Sequence, residues 1–136
     1  MTSTLQRLVR SQANPARARL LARFFKTGPG EYAEGDVFLG LTVPQVRRVA
    51  AAGRDADTLT VLQLLHSRYH EERLLALLIL VAECGRGDEA ARRRIARLYL
   101  RHLGAVNNWD LVDLSAPRIL GPYWEGRAAP RRDALA

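Results

Sequence analysis

From Leu74 to Ala82 the chain reads LLALLILVA, nine residues without a polar side chain. Glu71, Glu72 and Arg73 precede this run and Glu83 follows it. It is far shorter than the roughly 20 apolar residues that a membrane-spanning helix requires. A helix that is apolar on every side has to be enclosed by other elements. The rest of the chain must therefore fold around this one segment.

The flanking sequence supplies helices to do so. Leu5, Leu8 and Val9 start one amphipathic face. Pro15 opens a second helix, at a position where its missing N–H costs little. Leu20, Leu21, Phe24 and Phe25 recur in it at helical spacing, with Arg17, Arg19 and Arg23 between them. Thr27-Gly28-Pro29-Gly30 ends it. Residues 27–43 hold several glycines and acids and read as a long surface-crossing loop, a kind of segment that is often functional. Pro44 opens the next helix, with Val46 and Val49 inward, Arg47 and Arg48 outward, and Gly53 as its stop.

Asp57 or Thr58 caps the following helix, which carries Leu59, Leu62 and Leu65 on one face. Ser67 is the candidate cap for the apolar helix, with Glu71 and Glu72 in its first turn, where the helix dipole favours acids. Gly85 and Gly87 close it. Asp88 caps a helix with Ile95, Leu98, Tyr99 and Leu103 inward and Arg92, Arg93, Arg94, Arg97 and Arg101 outward; Gly104 stops it. Asn108 and Ser115 are read as caps of two further short helices, the second with Pro117 in its first turn.

The fold class that follows is all-α, a HEAT-like helical-repeat solenoid. The expected pairs are 44–53 with 58–66, 68–84 with 88–103, and 109–114 with 116–124, each burying its inner face against the next. The expected organisation is one domain over 1–124 and a disordered tail over 125–136. Nothing in that tail caps the last repeat, so an apolar face is expected to stay open there for self-association or a partner.

Composition narrows the partner. Among 136 residues, 21 are Lys or Arg and 14 are Asp or Glu, a net charge of +7, and Lys26 is the single lysine. Such an excess favours a polyanion, either nucleic acid or an anionic membrane surface, although charges spread over solvated faces account for it equally well. Arginine suits phosphate because its planar fork donates two hydrogen bonds at once. Cys84, the one cysteine, cannot form an internal disulfide and reads as a small core residue. The first ten residues lack the apolar region of a signal peptide, and a cytoplasmic location is expected. His70-Glu71-Glu72-Arg73 lacks the second histidine of a zinc-protease helix, Gly28-Pro29-Gly30 has the wrong context for a nucleotide loop, and no nucleophilic triad is in sight. Neither a metal nor a cofactor is expected.

The unusual stretch is VNNWDLVDL, Val106 to Leu114. Trp109 and Asp113 are four residues apart and share one helix face. Asp113 falls near the end of the short helix expected there, where the dipole disfavours an acid. A site that must stabilise positive charge is one explanation. Packing by Trp109 and ion pairing by Asp113 is the other.

Three segments, FFKTGPGEYAEGDVFLGLTVPQVRRVA (Phe24 to Ala50), EERLLALLILV (Glu71 to Val81) and VNNWDLVDLSAPRILG (Val106 to Gly121), resemble the DNA alkylation repair enzyme family, the AlkD-like glycosylases. The Trp-Asp-x-x-Asp element is the most specific of them. The resemblance runs to about Trp124 and implies a HEAT-like solenoid cradling duplex DNA that contains alkylated bases. The implied activity is excision of cationic N3- and N7-alkylated purines. The resemblance gives Asp113 the role of stabilising the sugar cation and Trp109 that of lining the site. Lys26, Arg47 and Arg48 are candidate phosphate contacts from charge and position. Family members continue with further repeats that supply an arginine and a second tryptophan, so half a cleft is expected in this chain. A non-catalytic DNA- or protein-binding module is the alternative.

Overall fold

In the computed structural model, residues 2–25, 35–106 and 109–125 are described, and at positions 109, 110, 113 and 122–125 the backbone alone. These residues form seven α-helices and no strand: α1 (Thr4–Ser11), α2 (Pro15–Phe24), α3 (Val43–Ala52), α4 (Thr58–Leu65), α5 (His70–Arg86), α6 (Glu89–Arg101) and α7 (Trp109–Glu125), with a 3-10 turn at Leu103–Ala105. The all-α expectation holds. The expected tail, apart from Glu125, lies outside the described residues.

Local chemistry sets most helix starts. Ser3 and Gln6 form a capping box on α1, as Thr42 and Gln45 do on α3. Asn14 caps α2 ahead of Pro15, Asp57 caps α4 and Asp88 caps α6, each accepting a backbone N–H from the first turn. Helix α5 differs from the expectation. It starts at His70 after Tyr69, which gives no side-chain cap, and it runs through Gly85 to Arg86.

Helix α5 is the axis of the molecule. Residues 70–80 are buried without interruption, and Leu75, Ala76 and Ile79 are fully enclosed. Truncating one such leucine to alanine costs about 2–5 kcal/mol. Helices α3, α4 and α7 pack most extensively on α5, and α6 packs on both α5 and α7. The repeat therefore falls one helix later than the spacing predicted. The intimate pairs are α4 with α5 and α6 with α7, while α3, α5 and α7 lie in succession. Periodicity identifies a helix's apolar stripe but not the neighbour that covers it.

Further expectations are corrected. Positions 109–125 form one helix, not two. Ser115 does not cap: it is fully buried, donates to the Leu111 carbonyl at 2.5 Å, and lies 3.0 Å from the Tyr99 hydroxyl. Its hydroxyl bonds back to the carbonyl four residues earlier instead of capping a new start, and the helix continues past Pro117, which has no backbone N–H to donate. On α4 the buried face is Val61, Leu64 and Leu65, and Leu59 is 78% exposed. On α2 no residue is fully buried, and Leu20 and Phe24 are exposed.

The described part of the 27–43 segment also departs from a surface-crossing loop. Phe38, Gly40 and Leu41 are buried, and Val37 makes a parallel bridge with Tyr69. The Asn14 N–H donates to the Leu39 carbonyl at 2.8 Å, and the Arg17 guanidinium to the Gly40 carbonyl at 3.0 Å. Gly40 has φ +94°, and a Cβ there would sit 2.0 Å from the Asn14 carbonyl oxygen. Glycine is required at this contact.

Candidate functional site

The stretch singled out by sequence, 109–113, begins the last helix. On α7 the fully buried residues Leu111, Ser115 and Ile119 repeat every four positions and form the stripe that meets α6 through Tyr99. An α-helix turns about 100° per residue. Backbone positions 109 and 113 therefore share a face turned away from that stripe. Arg47 and Arg48 stand exposed on α3, and α5 packs on both α3 and α7. Lys26, Asn107 and Asn108 lie outside the described residues.

A cleft of about 160 Å³ opens between the end of α4, the first turn of α5 and the 3-10 turn at Leu103–Ala105, lined by Leu65, His66, Ser67, Arg73, Gly104 and Ala105. Arg73 is its buried cation. One guanidinium nitrogen donates to the Ser67 carbonyl at 2.9 Å, a second pairs with Asp36, and Nε has no hydrogen-bond partner among the described residues. At the rim, His66 Nε2 and His102 Nδ1 are 2.8 Å apart, close enough for one neutral ring to donate to the other. Burial lowers the His102 pKa from its ordinary value, and the nearby His66 and Arg101 act in the same direction. Among the described residues, no group of three or more His, Cys, Asp or Glu side chains is placed to hold a metal ion.

Behind this cleft the start of α5 holds a buried charge network. The Glu71 carboxylate accepts the backbone N–H groups of Leu39, Gly40 and Leu41 at 2.8–3.2 Å. Fully buried Glu72 accepts from Gln6 at 2.9 Å, from Arg10 at 2.7 and 3.2 Å, and from Ser67 at 2.8 Å. Its hydrogen bond raises the Arg10 pKa. His70 lies 3.3 Å from Asp36 and stacks on Phe38 with ring centroids 4.6 Å apart. These acids do more than complement a helix dipole: they tie the 36–41 segment and α1 to α5. Sequence reasoning missed Arg73, Ser67 and Asp36 as a unit. The available signal was three consecutive charges, Glu71, Glu72 and Arg73, heading an apolar run.

Cys84 is buried and free, and burial raises its thiol pKa, which agrees with the core assignment. No described helix is long and apolar enough to cross a membrane.

Fold and site together define a basic helical-repeat protein with a cleft around buried Arg73, beside the 3-10 turn at Leu103–Ala105. The family model described as DNA alkylation repair enzyme matches residues 5–136, and the chain belongs to that family. Comparison with curated protein sequences and with solved structures gave no significant match.

Proposed function

We propose that this protein is a DNA glycosylase that hydrolyses the N-glycosidic bond of cationic N3- and N7-alkylated purines. The observation that carries this reading is family membership across residues 5–136, combined with backbone positions 109 and 113 sharing one face of α7, off its fully buried stripe of Leu111, Ser115 and Ile119. An alkylated purine already bears a positive charge and leaves readily. Cleavage sends the C1′–N bond electrons to the base, which departs neutral, and leaves an oxocarbenium-like sugar. In this reading the Asp113 carboxylate stabilises that cation and orients the water that adds to C1′, as carboxylates do in glycoside hydrolysis. Trp109 offers a π face to the cationic base or sugar. Lys26, Arg47 and Arg48 take backbone phosphates, the two α3 arginines being exposed.

The test is release of methylated purines from alkylated duplex DNA by the parent and by Asp113→Asn. Release should fall at least about a hundredfold in the variant, the scale of losing one transition-state stabiliser, with duplex affinity unchanged. Equal release by both proteins would remove Asp113 from the reaction. Duplex binding without release from either would make the chain a non-catalytic DNA-binding repeat module.

A further inference from the structure

Helix α6 carries a second concentration of positive charge that the reading above does not use. Arg93, Arg97 and Arg101 recur every four residues, and Arg94 lies beside them. They are all exposed. Together with Thr58, Ala90 and Leu98 they line a groove of about 410 Å³ between α6 and the start of α4. The opposite face of α6, formed by Ile95, Ala96 and Tyr99, is buried, and Tyr99 meets Ser115 of α7. The arginine groove therefore faces away from the core. Positions 109 and 113 lie on the side of α7 turned away from α6.

Charge in the groove is only partly neutralised. Arg93 makes an exposed pair with Glu89 at 3.1 Å, and Arg94 pairs with Glu83 at 2.5 Å. Exposed pairs of this kind are worth little and exchange readily for a stronger anion. Arg97 and Arg101 have no acidic partner among the described residues. Four residues of helix rise about 6 Å, so 93, 97 and 101 span roughly 12 Å in a row. A row of guanidinium groups along a groove suits a linear array of phosphates, each of which can accept a bidentate fork.

We propose that this α6 groove is a second nucleic-acid surface that binds the phosphate backbone of duplex DNA. One protein molecule then contacts a duplex on the 109/113 side and another duplex segment on the α6 side. The proposal rests on the DNA-binding part of the proposed function and is independent of base release.

The experiment measures anisotropy of a labelled, unmodified duplex across a salt series. It compares the parent with R93Q/R97Q/R101Q, R93K/R97K/R101K and R47Q/R48Q. Circular dichroism melting checks that each variant is folded. The glutamine triple should lose roughly tenfold or more in affinity at low salt, and its salt slope should fall by about 2–3 phosphates. The lysine triple should keep the slope and lose part of the affinity. Energy transfer between donor- and acceptor-labelled duplexes should appear with the parent, persist with the lysine triple and vanish with the glutamine triple. Release from alkylated duplex, where the parent shows it, should survive the glutamine changes at saturating protein. Parent-like affinity and slope in the folded glutamine triple would overturn the proposal, as would a parent that does not bind duplex. Equal competition by poly-glutamate per charge would show a generic acidic-partner surface and overturn it as well. Absence of base release from the parent, with the α6 dependence intact, would remove the glycosylase reading alone.

Discussion

The start of α5 and the outer face of α6 are both crowded with charge, yet the charge does opposite work. At α5, Asp36, Glu71, Glu72 and Arg73 are enclosed, and each is bonded to a named partner. At α6, Arg97 and Arg101 are solvated and unopposed by any acid among the described residues. Buried charge is tolerated only when it is paired and hydrogen-bonded, and removing one member leaves the others stranded. Exposed charge costs little to keep and is available to a partner. The first region should report on folding and the second on binding.

The strongest way to break this contrast is Glu72→Ala. The change strands Gln6 inside the protein and frees Arg10 and Ser67. Stability should fall by about 3–5 kcal/mol, the usual cost of breaking a buried charged network, measured by denaturant unfolding. A loss below 1 kcal/mol would show that the α5 network is not what fastens α1. Gly40→Ala comes next. Positive φ and the approach to the Asn14 carbonyl should together cost roughly 2–4 kcal/mol, and a melting temperature equal to the parent's would refute the docking of 39–41 against α2. For the other region, R97Q/R101Q should leave unfolding within about 0.5 kcal/mol of the parent. A large destabilisation would mean that these arginines have a structural task.

The smallest effect belongs to the boundary between the two regions, where His66 meets His102. The folded His102 has a lowered pKa, so below its ordinary value the unfolded chain binds more protons than the folded one. Its contribution is therefore complete above about pH 6.5 and fades as pH falls toward the folded value. The melting temperature should drop on acidification from pH 7.5 through 6, and His102→Gln should flatten part of that drop. An identical profile in the variant would remove His102 as its source.

Much of the local structure was legible in the sequence because its causes are local. Asp57 and Asp88 cap the helices they precede, Gly53 stops α3, and Val46 and Val49 face inward with Arg47 and Arg48 outward. The uninterrupted apolar run from Leu74 required an enclosed helix, and α5 is that helix. Positions 109 and 113 share a helix face by spacing alone. Ser115 misled because a serine ahead of a proline resembles a helix start, while its hydroxyl is satisfied by Leu111 and Tyr99. The second of those contacts comes from another helix and leaves no mark in the local pattern.

The sequence by itself determined which segments coil, where most of them begin, and that the net charge of +7 had to be carried largely by arginine. Only the tertiary structure decided that α4 pairs with α5, that Glu71 holds the backbone at Leu39–Leu41, and that the arginines of α6 share a groove with Thr58. The reason is distance along the chain. Caps and stripes are fixed within about four residues, whereas Glu71 and Gly40 are 31 residues apart and Gln6 and Glu72 are 66 apart. No periodicity specifies which of many polar side chains will close such a contact; the packing around α5 does.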